Sequence, residues 1–326
     1  MGGKALNTNT ERIDLKTYNK IKTEIYCKLR DELNYNDVRF IPFYKSKDSF
    51  GDLDILVSEP KPNNLISFLY DNLNTKDLKI NHDIVSFEYK DFQIDLIHCP
   101  AEYLDIAQTY FSYNDLGMLM GTVAKKINCK YGHTGLYYIK YNSDKSKKWE
   151  IFLSKEPRKI FNFLDLDYDV FLRGFNTLEE IYDYIYSSTL FDSNNFLYEK
   201  EWNHRKKTRN RKRPTWQKFI EYIKHKPIKE GLNVNPLEYC CFCFGKDYLL
   251  EEINTIEHNE NMSKLIRSKF NGNIVRELTG YDKIELSKFI SEFKKQFINF
   301  DTFIVNNNQS TINSYILQFK TQKEKK

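Results

Sequence analysis

The sequence predicts an α+β protein: short strands mixed with helices in the first half, followed by a mostly helical C-terminal region. Three observations carry that prediction. Up to about residue 190, segments with apolar residues at spacings of three and four are interspersed with short runs rich in β-branched and aromatic residues. Beyond Phe191 the helical period dominates. The 24 Phe and 23 Tyr in 326 residues supply enough apolar surface for one large core or two domains, which excludes a disordered chain. Three regions are expected: residues 1–37 as a polar lead and one helix, 38–190 as a mixed αβ region, and 191–326 as a basic, mostly helical region.

In chain order, "LKTYNKIKTEIYCKLRDEL" sets Tyr18, Ile21, Ile25 and Leu29 on one helical face. "VRFIPFY" reads as a short strand running into the loop "KSKDSFG", and "DLDILVS" as the next strand. "EPKPN" is a turn that opens the helix "NLISFLYDNL". "HDIVSFEY" and "FQIDLIHC" are strands joined by the two-residue link "KD". A helical stretch is expected from Tyr103 to about Asn128, then a hairpin of "GLYYIKYN" and "WEIFLS". Two helices, "EPRKIFNFLDL" and "TLEEIYDYIYSS", follow; the C-terminal region offers "PTWQKFIEYIKH" and one long run from about 236 to 270.

The net charge is only +5, but it is unevenly placed. "RKKTRNRKR", residues 205 to 213, holds seven basic residues and no acid, a composition suited either to a solvated linker or to contact with phosphate backbones. The six cysteines lack zinc-finger spacing to one another or to histidine, so free thiols and a reducing, intracellular setting are expected. No apolar run reaches the ~18 residues of a membrane span, so the chain is expected to be soluble. Nothing in the sequence sets an oligomeric state.

The stretch "SFGDLDILV" places two carboxylates in an otherwise buried-looking strand. Side chains alternate along a strand, so Asp52 and Asp54 share a face about 7 Å apart, while Leu53 and Ile55 point to a core. Asp95, in "FQIDLIHC", is a third acid among apolar residues. If the two strands are neighbours, the three acids converge and repel one another unless divalent cations fill the space. Oxygen-only donors favour Mg2+ or Mn2+. Asp-x-Asp alone is common at strand ends; its combination with the preceding Ser-x-Gly and a later strand-borne Asp is much rarer.

With these residues, the chain resembles the polymerase-β-type nucleotidyltransferase superfamily, in particular the palm and thumb of the family X DNA polymerases. The likeness spans residues 38 to 175. "YFSYNDLGMLM" is similar to the family's Tyr-Phe-Thr-Gly-Ser segment beside the nucleotide sugar; "GHTGLYYI" and "EPRKIFNFLDLDY" look like its thumb hairpin and following helix. The resemblance implies a mixed-sheet palm flanked by helices and a two-ion site. One ion would be held by Asp52, Asp54 and Asp95, and the other by Asp52 and Asp54. It also implies transfer from an NTP or dNTP with release of pyrophosphate, and sugar or base contacts from Tyr110 and Phe111. The chain departs from the family where Ile41 and Pro42 stand in place of Gly-Ser, and where Tyr113 and Asn114 replace a small pair. Triphosphate contacts are then sought in Lys45, Ser46, Lys47, Ser49 and Gly51; each of Lys45, Ser46, Lys47 and Ser49 is equally well read as a solvated loop residue.

The expected acceptor is a polynucleotide 3′ end, RNA before DNA, bound by Arg205, Lys206, Lys207, Arg209, Arg211, Lys212 and Arg213 with Trp202 and Trp216 as stacking rings. A small-molecule or protein acceptor, or an inactive nucleic-acid-binding protein, is the alternative. His98 and His133 are read as structural.

Overall fold

The computed structural model describes residues 5–142, 144–197 and 204–325, with the backbone alone at residues 205, 206, 209 and 246. The chain divides into two compact units, Met1–Lys246 and Asp247–Lys326. The divisions drawn from sequence at 37/38 and 190/191 both lie inside the first.

In the first unit, β1 (Ile13–Asp14) leads into α1 (Leu15–Cys27), whose N-terminus is capped by the Asp14 carboxylate accepting from the Thr17 N–H at 2.8 Å. Tyr18, Ile21, Ile25 and Leu29 are all buried, as the spacing predicts. Next come β2 (Val38–Phe40), β3 (Ser49–Phe50), β4 (Asp52–Ser58), α2 (Leu65–Leu73), β5 (Leu78–Asn81), β6 (Ile84–Tyr89) and β7 (Phe92–Cys99). Five of these strands form a mixed sheet in the order β2-β4-β7-β6-β5, with β4 and β7 parallel and the other neighbours antiparallel. The "KD" link is a tight hairpin turn in which Lys90 and Asp91 both take positive φ, 54° and 59°. β1 pairs separately with β3.

The faces of this sheet set up the site. Leu53, Ile55 and Val57 of β4, with Ile94 and Leu96 of β7, pack under α1 and α2. On the other face, Leu56, Ile97 and Cys99 pack against Leu104 and Ala107 of α3 (Leu104–Phe111). That contact involves the C-terminal halves of the two parallel strands, whereas the acids lie toward their N-terminal ends.

The helix expected from Tyr103 to Asn128 is broken. After α3 the chain turns through Tyr113 and Asn114, both left-handed at φ 55° and 62°, before α4 (Leu116–Ala124). The Tyr113 N–H donates to the Pro42 carbonyl at 2.8 Å and its hydroxyl to the Phe171 carbonyl at 3.2 Å, tertiary bonds that helix continuation would forfeit. β8 (Cys129–Gly132) adds a third strand to the predicted hairpin of β9 (Gly135–Tyr141) and β10 (Lys148–Ser154). α5 (Pro157–Phe163), α6 (Tyr168–Arg173), α7 (Leu178–Ser187) and α8 (Asn194–Leu197) follow, then α9 (His204–Arg211), α10 (Pro214–Lys224) and α11 (Pro236–Phe244).

The run expected from 236 to 270 is two helices, separated at Gly245 with φ 101°, which a side chain would oppose. The second of them, α12 (Lys246–Lys269), leads the second unit, which continues with α13 (Gly272–Thr279), α14 (Lys283–Lys294), α15 (Phe300–Asn306) and α16 (Gln309–Glu324). Its core is built on Phe270, Val275, Phe289, Phe293, Ile304 and Ile312. The Lys269 ammonium donates to the carbonyls of Ile304, Val305 and Asn307, satisfying the C-terminal end of α15. Among the described residues no helix is long and apolar enough to cross a membrane.

His98 is structural in the first unit. Its Nε2 lies 2.7 Å from the Tyr35 hydroxyl and its Nδ1 lies 3.1 Å from the Asp83 carbonyl, which suits the neutral ring with its proton on Nδ1. Burial brings its pKa down from 6.5 to about 4. A depressed histidine contributes its full stability above pH 6.5, and that contribution is lost as the pH falls through about 4. Between pH 7.5 and 4.5 this residue is expected to cost the fold about 2–3 kcal/mol. Chemical-denaturation midpoints at both pH values, in wild type and His98→Gln, check it: the pH difference should shrink in the variant.

Candidate metal centre

Asp52 and Asp54 project from the same face of β4, and the parallel register sets Asp54 opposite Asp95 of β7. The three carboxylates each offer an oxygen, and these oxygens lie within 4.8 Å of one another. Burial, then the charges of Asp52 and Asp95, push the Asp54 pKa well up. Asp95 is pushed up to about 6, first by burial and also by Asp52, against hydrogen bonds from Ser86 and Gln93. Carboxylates forced this close are short of positive charge. A set of hard oxygen donors at this spacing fits a divalent cation of the Mg2+ or Mn2+ kind, and the three acids could bind one.

Neighbouring side chains hold these acids in place. The Gln93 amide donates from Nε2 to both Asp95 oxygens at 2.9 and 3.0 Å, while its Oε1 accepts the Ala5 N–H at 2.9 Å. Tyr18 stacks on Phe50 with ring centroids 4.1 Å apart. Burial and the charges of Asp54 and Asp52 raise the pKa of its phenol, so it stays protonated beside them.

The loop before β4 sorts its predicted contacts. Lys47 lies over the Phe50 ring at 4.7 Å, donates to Asn114 Oδ1 at 3.3 Å, and feels the attraction of Asp52 and Asp54 against a burial that lowers its pKa. Lys47 is thereby brought to the acids. Lys45 and Ser46 are exposed, with their backbone N–H groups donating to the Phe175 and Asn176 carbonyls. Ser49 is half-buried and Gly51 buried. Arg12 was not anticipated from sequence. Its guanidinium donates to Ser49 Oγ at 2.9 Å and to the Ser49 carbonyl at 2.7 Å, which puts a second cation near Lys47. Ser86, Gln93 and Tyr18 were missed as well. Gln93 had a signal, since it lies two residues before Asp95 on the same strand face.

Phe111 packs with Leu56 and Ile97 and stacks on His133, with ring centroids 5.9 Å apart. Tyr110 meets Phe111 and Tyr131 edge-on. Gly117 sets this corner: a Cβ on it would lie 2.1 Å from the Tyr110 carbonyl oxygen. Gly117→Ala is therefore expected to cost about 1–3 kcal/mol by overpacking and to displace Tyr110. A lower unfolding temperature, with a crystal structure in which the Tyr110 ring has moved, would show both effects.

In the basic block, Lys207 is half-buried on α9, and Arg211 and Lys212 are exposed. The side chains of Arg205, Lys206 and Arg209, and the whole of Trp202, lie outside the described residues. Arg213 stands at the N-cap position of α10, without a side-chain cap bond, and pairs with Asp115 at 3.1 Å. Trp216 does not serve as a stacking surface. It is 1% exposed and stacks on Phe196 in the core, because the apolar face of α10, with Phe219 and Ile223, turns inward. All six cysteines are free; the Cys129 and Cys240 sulfurs approach to 3.5 Å, both buried. In comparisons with known proteins, the chain matches no family model and no curated protein.

Proposed function

We propose that this protein is a metal-dependent nucleotidyltransferase of the polymerase-β type, with a palm like that of the family X DNA polymerases. It adds nucleotides from an NTP or dNTP to a polynucleotide 3′ end, RNA before DNA. The convergence of Asp52, Asp54 and Asp95 from two parallel strands, with Lys47 beside them, is the observation that carries this reading. Two ions held by these acids would supply activation of the acceptor hydroxyl and neutralisation of the departing pyrophosphate. Asp95 is the acid assigned to the acceptor side. Lys47 and Arg12 direct positive charge toward the triphosphate, and Tyr110 and Phe111 border the sugar. Lys207, Arg211 and Lys212 meet the acceptor's phosphates.

A second reading keeps the chemistry and changes the acceptor to a small molecule or a protein side chain. The burial of Trp216 and the Asp115 pairing of Arg213 favour it, because both residues are committed to the fold. The test incubates the protein with labelled single-stranded RNA, single-stranded DNA and a primed duplex. Each NTP and dNTP is supplied with Mg2+ or Mn2+, beside Asp52→Asn. Extension that disappears in the variant supports the first reading. Nucleotide binding without extension of any acceptor supports the second, and no nucleotide binding removes both.

A further inference from the structure

Cys129, the first residue of β8, and Cys240 on α11 are 1% and 0% exposed, and their sulfurs stand 3.5 Å apart although 111 positions separate them in sequence. Cys243 follows one turn later on α11, exposed and within electrostatic reach of both. Tyr239 and Phe244 hold α11 in this position. Their rings pack on Phe163 with centroids 5.1 and 4.9 Å from it, and the Tyr239 hydroxyl donates to the Phe163 carbonyl at 2.9 Å. Among the described residues only Asp52, Asp54 and Asp95 bring three metal-ligating atoms together, so the thiols are not grouped as a metal site. The sulfurs of a disulfide lie ~2.05 Å apart, so an approach of about 1.5 Å, within the reach of side-chain rotation, turns the Cys129–Cys240 contact into a bond.

We propose that Cys129 and Cys240 form a reversible dithiol pair that is cross-linked when a peroxide oxidises Cys243. The exposed thiol is the one that a peroxide meets. Burial holds the Cys129 thiol protonated, well above the ordinary range, which makes its own attack on a peroxide slow. The atoms packed around Cys243 raise it too, so the thiols stay reduced until peroxide accumulates. In the first step the Cys243 sulfur attacks hydrogen peroxide, keeps one oxygen as a sulfenic acid and releases the other as water. Residues three apart on a helix are neighbours, so the Cys240 sulfur displaces that oxygen as a second water and forms a Cys240–Cys243 disulfide. Cys129 then attacks the Cys240 sulfur, and Cys243 leaves as a thiol. In sum, two thiols give up two electrons and two protons, and one hydrogen peroxide becomes two waters. Neither the pair nor its oxidation involves the acid cluster, so the inference stands apart from the nucleotidyl-transfer reading.

The test exposes the full chain to graded hydrogen peroxide, blocks remaining thiols with N-ethylmaleimide, and maps unreduced peptides by mass spectrometry. The expected product joins the Cys129 and Cys240 peptides without their thiol hydrogens and is lost on treatment with dithiothreitol. Because the link closes a long loop, the oxidised protein should unfold at a higher temperature than the reduced one. Cys243→Ser changes an exposed side chain, so the reduced variant should unfold at the wild-type temperature, yet its cross-linking should be at least ~10-fold slower. Cys129→Ala should stop at the Cys240–Cys243 disulfide; the peptide map of wild type stands as the test if this buried change impairs folding. Oxidation of Cys243 to sulfinic acid while Cys129 and Cys240 stay reduced overturns the proposal. So does a wild type that peroxide leaves unlinked, or cross-linking of Cys243→Ser at the wild-type rate.

Discussion

Asp95→Asn is expected to lower nucleotide incorporation about 10²–10³-fold, the scale seen when one stabiliser of developing charge is removed. The substitution preserves the side chain's size and leaves an acceptor oxygen for Gln93, so the β4–β7 register should survive. What disappears is a negative oxygen at the point where three carboxylates converge. Steady-state incorporation beside a thermal-unfolding curve separates the two effects: a large fall in kcat with an unfolding temperature equal to or above wild type is the expected pair. A proportional loss of both would assign Asp95 to the fold instead.

The second large effect has the opposite sign for stability. Asp54 is held beside Asp52 and Asp95 in a site where burial already disfavours its charge. In metal-free buffer at pH 7 that crowding destabilises the folded state, so Asp54→Asn is expected to stabilise it by roughly 1 kcal/mol or more. Added Mn2+ should then reverse the order, because a ligand that binds only the folded state stabilises wild type by ~2.7 kcal/mol at a hundred times its Kd. Unfolding temperatures of both proteins, each in chelator and in Mn2+, should cross.

The elements that are legible in the sequence are those with a strong local period. α1, β4 and the β6–β7 hairpin each carry an apolar rhythm long enough to declare both element and buried face. The acids were legible for the same reason, as carboxylates inside such a rhythm. The ribbon of β1 and β3, the edge strand β5 and the strand β8 are two to four residues long and have no period to detect. The break at Tyr113–Asn114 is decided by bonds to Pro42 and Phe171, distant in sequence. Trp216 shows the limit of composition: an aromatic next to a basic block can face solvent or core, and only the orientation of α10 decides. Arg12 reaches Ser49, near Lys47, because β1 pairs with β3, a contact that no local pattern announces.

The most direct measurement counts Mn2+ bound per chain by electron paramagnetic resonance, with and without a nucleoside triphosphate, in wild type and Asp52→Asn. The acid cluster predicts two ions per wild-type chain when the triphosphate is present, and loss of that binding in the variant. Equal Mn2+ binding by the two proteins, or none by wild type, would contradict the assignment of Asp52, Asp54 and Asp95 as a metal centre for nucleotidyl transfer.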